Sequence, residues 1–60
     1  MYEVRFFWNG MKHGFQSFKF STKKTANSYF EKVVNVMKRE NKTGKVALFN
    51  RNYLEKTFEI

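Results

Sequence analysis

The spacing of apolar residues changes once along this chain, after Ser21, and that change restricts the architecture more than any other feature. Before it, Tyr2, Val4, Phe6 and Trp8 alternate with Glu3, Arg5 and Phe7, the period of two that marks a strand with two unlike faces. After it, Ala26, Phe30, Val33, Val34 and Met37 recur at spacings of three and four, flanked by Tyr29 and Val36. That pattern is a single apolar stripe on an α-helix, expected over about 22–40. Ser21 or Thr22 is the expected N-cap, because a hydroxyl there accepts a free backbone N–H of the first turn. Lys38 and Arg39 fall in the last turn, where cations complement the helix dipole, and Asn41 and Gly44 are the stop signals. Val33, Val34 and Val36 are mediocre helix formers, so packing must hold the helix.

The flanking segments read as strands. Asn9 to Gly14 is a turn, and Phe15 to Ser21 alternates again, with Phe18 and Phe20 on one side and Phe15, Ser17 and Lys19 on the other. Lys45 to Asn50 and Tyr53 to Ile60 are a third and fourth strand, joined by a tight turn at Asn50, Arg51 and Asn52. In the last strand Leu54, Phe58 and Ile60 are expected to share a face that Lys56 interrupts. The order is ββαββ. One amphipathic helix covers one face of a small antiparallel sheet, so the expected fold is a two-layer α+β domain comprising residues 1–60.

A chain of 60 residues buries only about 60% of the surface it exposes when unfolded, and domains this small usually recruit a disulfide, a metal or a second subunit. There is no Cys, and the single His13 cannot anchor a zinc site, so no metal or cofactor is expected. Self-association remains, and a homodimer is expected over a monomer. Eight Phe, three Tyr and one Trp supply a second source of apolar area. The lack of Cys fits a reducing, cytoplasmic setting. No apolar run is long enough to span a membrane, so no membrane partner is expected.

Chemistry is expected to be absent too. His13 lies between Lys12 and Gly14 with no carboxylate near in sequence to tune it, and reads as a surface histidine. Glu3, Glu55 and Glu59 gather at one sheet edge only for some strand orders, and three scattered glycines make no phosphate loop. The expectation is a binding protein and not an enzyme.

The charge suggests what is bound. Twelve Lys and Arg against five acids give +7, a field that attracts polyanions. If Val4, Phe6, Trp8, Phe18 and Phe20 face the helix, then Arg5, Phe7, Phe15, Ser17 and Lys19 face away, and rings mix with cations on two adjacent strands. Such a face suits nucleic acid: rings stack on bases while Arg5, Lys19 and the loop residue Lys12 neutralise phosphate. Alternatively, Phe7 and Phe15 are covered by a protein partner, a second copy or the C-terminal strand. Lys38, Arg39, Lys42 and Lys45 form a second basic cluster around the helix end. The outer helix face, with Lys24, Ser28, Glu31, Lys32 and Asn35, reads as solvated, Glu31 pairing with Lys24 or Lys38.

The stretch over residues 10–32, GMKHGFQSFKFSTKKTANSYFEK, has a short hairpin ending in F-x-(S/T)-K-K and running into a helix with an early Ala. It resembles the arm-type DNA-binding domains at the N-terminus of tyrosine integrases, whose sheet enters the DNA major groove. The likeness implies that Arg5, Phe7, Lys12, Phe15, Ser17 and Lys19 lie on a DNA-facing sheet, and it suggests a phage or mobile-element source. That family has three strands before its helix, whereas two are legible here. The expected function is therefore nucleic-acid binding, with DNA favoured, through the sheet face and hairpin loop. The alternative is a small protein-interaction module or inhibitor of phage or mobile-element type that docks on a larger protein.

Overall fold

The computed structural model describes residues 1–12 and 14–60; His13, read above as a surface histidine, lies outside the described residues. The chain forms β1 (Tyr2–Trp8), β2 (Gln16–Phe20), α1 (Lys23–Arg39), β3 (Gly44–Asn50) and β4 (Tyr53–Glu59). All neighbouring strands pair antiparallel, in the order β2-β1-β3-β4. The two-layer α+β architecture is thus present. β2 and β3 flank β1 and run parallel to each other, so the connection between them must cross over the sheet. α1 is that crossover, which is why it lies on one face only.

The core is the contact between the helix stripe and alternate residues of the two central strands. Ala26, Phe30, Val33, Val34 and Met37 meet Val4 and Phe6 of β1 and Val46 and Leu48 of β3, all buried. In register, Val4 stands between Phe18 and Leu48, and Phe6 between Gln16 and Val46. Phe18 and Phe20 do face the helix side, but β2 is an edge strand and the helix barely reaches it, so Phe18 remains 43% exposed. Tyr29 bridges the gap, with ring centroids 5.3 Å from Phe18, 5.4 Å from Phe20 and 6.2 Å from Phe6.

The helix ends follow local rules. Thr22 is the N-cap, its Oγ1 accepting the Thr25 N–H at 3.3 Å. At the other end Asn41 has φ 56°, the Lys42 N–H reaches Met37 O at 2.9 Å and the Asn41 N–H reaches Lys38 O at 3.4 Å, which closes a Schellman turn. Gly44 has a different task from the stop signal expected of it. A Cβ there would stand 2.0 Å from the Phe7 carbonyl oxygen, so no side chain fits where β3 begins against β1. Asn9 ties the β1–β2 turn to the same region, its N–H donating to Thr43 O at 2.8 Å while its Oδ1 accepts the Thr43 N–H at 3.1 Å.

One expectation about β4 fails. Leu48 pairs with Lys56 but Phe49 pairs with Leu54, so the ladder slips by a residue and leaves Glu55 as a bulge. The slip reverses the side on which Leu54 lies. Phe58 packs against the core, whereas Leu54 turns to the opposite face beside Phe49. Lys56, the apparent interruption, lies under the helix side with its Nζ 4.6 Å from the Phe30 ring centroid and 3.5 Å from Glu31. Glu31 therefore pairs with β4 and not with Lys24 or Lys38. Among the described residues no helix is long and apolar enough to cross a membrane.

Placement relative to the bulge predicts unequal costs. A fold of this length has roughly 3–9 kcal/mol of stability in all. Leu48→Ala, beneath the helix, is expected to remove about 3 kcal/mol of it, and Leu54→Ala less than about 1 kcal/mol. Thermal unfolding followed by circular dichroism checks this; equal losses would put both leucines in the core.

Candidate ligand-binding face

The parity of each strand fixes what lies opposite the helix. β1 contributes Glu3, Arg5 and Phe7, β2 contributes Ser17 and Lys19, and Phe15 stands just before β2. β3 adds Lys45, Ala47 and Phe49, and β4 adds Leu54, Thr57 and Glu59. Nothing in the described chain covers this face. Phe7 is 48% exposed, Phe15 60% and Leu54 49%. Between the rings of Phe7, Phe15 and Phe49 is a shallow depression of about 280 Å³, with small Ala47 among them and Arg5 and Lys45 at its margin.

Arg5 is held in place. Its Nε and Nη2 donate to Glu3 at 3.0 and 3.2 Å, and Ser17 Oγ, across the strand pair, donates to the same carboxylate at 2.7 Å. The guanidinium carbon lies 4.6 Å from the centroid of Phe49. Hydrogen bonds from Arg5 and then from Ser17 hold the Glu3 carboxyl below the usual carboxylate range. The pairing in turn raises the Arg5 value.

This geometry sorts the residues singled out from sequence. Arg5, Phe7, Phe15, Ser17 and Lys19 do share the open face. Ser17, however, is engaged with Glu3, and Arg5 has given one edge of its guanidinium to the same acid. Lys12 is exposed in the β1–β2 turn, at the end of the face. The second cluster separates. Lys38 Nζ lies 5.3 Å from the Phe58 ring, Lys42 Nζ 6.0 Å from the Trp8 ring, and Arg39 pairs with Glu40 at 3.8 Å. Lys45 is on the other side of the sheet, register partner of Phe7, so it belongs with the open face. Nor do the three glutamates gather: Glu3 is in the centre of the sheet, Glu55 pairs with Lys23 at 3.7 Å, and Glu59 opposes Lys45. Ala47, Phe49 and Leu54 also belong to the face, beyond the residues expected from sequence. The alternation of Lys45, Ala47 and Phe49 against Val46 and Leu48 was the signal for the first two.

The charge is distributed unevenly. The open face carries Arg5, Lys19 and Lys45 against Glu3 and Glu59, a net +1, and the two turns add Lys12 and Arg51. The helix side holds the other seven cations against Glu31, Glu40 and Glu55, a net +4. The face is thus apolar at its centre and nearly balanced, within a strongly positive molecule. Among the described residues no group of three or more His, Cys, Asp or Glu is placed to hold a metal ion.

No family model matches this chain, and no curated protein or solved structure shows significant similarity to it. The likeness of residues 10–32 to integrase arm domains stands on those residues alone.

The Glu3 network has a pH signature. A carboxyl whose folded value is lowered stabilises the fold fully above its unfolded value, and that stabilisation is lost as pH falls through the folded value. Glu3→Gln is therefore expected to destabilise at neutral pH and to show a shallower loss on acidification than the native chain. Urea unfolding at a series of pH values measures both; parallel pH profiles would mean that Glu3 titrates as an ordinary surface acid.

Proposed function

We propose that the open sheet face binds single-stranded nucleic acid. The observation that carries this reading is the pair of exposed rings, Phe7 on β1 and Phe15 just before β2, around a depression that the half-buried Phe49 and two cations also line. Unpaired bases stack on such rings whatever their identity, and an antiparallel sheet with rings on its central strands is an established surface for them. The net charge of +7 concentrates a polyanion near the molecule. Lys19, Lys45 and Lys12 are the cations left for phosphate.

The same facts argue against two neighbouring readings. Insertion into a duplex groove depends on phosphate contacts from the inserted face, yet that face has a net charge of only +1 and Arg5 is partly spent on Glu3. A homodimer through the face would bring together two molecules of +7 each, with no excess of acid on either face to offset the repulsion. A partner protein remains the rival, as an apolar patch with one ordered Arg has the makeup of a protein hot spot.

Fluorescence anisotropy with labelled single-stranded DNA and RNA at two salt concentrations tests the proposal. Phe7→Ala or Phe15→Ala is expected to weaken binding by about 5- to 100-fold, the loss of one stacked base. Lys45→Met is expected to reduce the salt slope by about 0.7, one phosphate contact on a single strand. An absence of submillimolar binding at low salt, or binding indifferent to Phe7→Ala, would favour the protein partner.

A further inference from the structure

The depression on the open face offers hydrogen-bond donors and lacks side-chain acceptors. Arg5 and Lys45 are its polar side chains, and neither can accept. The nearest acid, Glu3, does not line the depression and is engaged by Arg5 Nη2 at Oε1 and by Arg5 Nε and Ser17 Oγ at Oε2. The backbone carbonyls of β1 and β3 lie between paired strands on both sides.

Arg5 itself is half used. A guanidinium carries five N–H donors in a fixed fork. The side-on pair with Glu3 takes one at Nε and one at Nη2, which leaves the two at Nη1 and the second at Nη2. One at Nη1 and the one at Nη2 form the end-on edge, turned away from Glu3, and the other at Nη1 points back toward the Cδ side. The guanidinium carbon lies over the ring of Phe49 while Glu3 holds its side. A cation fixed on both counts presents two parallel donors in one direction, the geometry that matches two adjacent acceptors.

Of the two purines, guanine has adjacent acceptors at O6 and N7, whereas adenine at the same place presents an acceptor at N7 and a donor at N6. From this, and resting on the single-strand reading above, we infer that Arg5 is a base-reading residue and that the depression selects guanine over adenine. The amino group of adenine would meet the donors of Arg5 and Lys45, with no side chain lining the depression to accept from it. Glu3 and Ser17 act as positioning residues, since they touch Arg5 and one another and not the base. The sequence had suggested a phosphate contact for Arg5; its fixed orientation suits a directional contact better.

Anisotropy titrations with TTG-repeat and TTA-repeat DNA dodecamers, in lithium buffer to suppress quadruplexes, test the inference. The native protein is expected to bind the guanine repeat about tenfold more tightly. Arg5→Lys keeps the charge and loses the fork, so it is expected to bring the ratio near one, chiefly by weakening binding of the guanine repeat. Glu3→Gln is expected to reduce the ratio as well, although it makes the chain more positive; circular dichroism verifies that both variants fold. Equal affinity of the native protein for the two repeats overturns guanine selection while leaving the single-strand platform intact. A ratio that survives Arg5→Lys also overturns the assignment. Failure to bind either repeat would remove the platform itself.

Discussion

Seven residues of β1 serve two masters at once. Val4 and Phe6 point beneath α1 and are buried, while Glu3, Arg5 and Phe7 project from the other side of the same strand. Because β1 pairs on both edges, it cannot slide to satisfy one side without exposing the other; a shift of one residue would put Arg5 and Phe7 under the helix and Val4 in water. The core therefore sets the position of every group on the open face. A 60-residue domain has little stability to spare, so the helix contact on Val4 and Phe6 is what keeps Glu3, Arg5 and Phe7 in register.

The open face has its own internal order. The pair between Arg5 and Glu3 is exposed, and such a pair adds little to stability. Its effect is to fix direction. Ser17 from the neighbouring strand and Phe49 from the other side complete the support, so three strands define one guanidinium. Lys19 and Lys45 are compact point charges on long stems, with no such fork to orient. The helix side holds most of the positive charge, and there three lysines lie over rings: Lys38 on Phe58, Lys42 on Trp8 and Lys56 on Phe30. Most of the positive charge and the exposed Phe7 and Phe15 thus lie on opposite sides of the sheet.

Much of the fold could be read directly, because periodicity is a local property. The limits of α1, both hairpins and the two faces of β1 follow from spacings within a few residues. What escaped depends on pairing between distant segments. Strand order determines that Phe49 joins Phe7 and Phe15, and only the pairing of β1 with β3 reveals it. Lys45 was grouped with Lys38, Arg39 and Lys42 by nearness along the chain, although its parity assigns it to the other side of the sheet. The bond between Arg5 and Glu3 was within reach, since residues two apart on a strand share a face. Leu54 was not, for a bulge leaves no mark on an alternating pattern.

That bulge has an effect beyond the side on which one leucine lies. β4 is an outer strand of the sheet, and an outer strand normally offers a continuous row of donors and acceptors to any extended peptide. The additional residue at Glu55 throws the row out of phase midway, so an incoming chain could match its first half or its second but not both. An aromatic-rich protein gains from this a brake on fibre growth along its C-terminal margin, at the cost of a single amino acid.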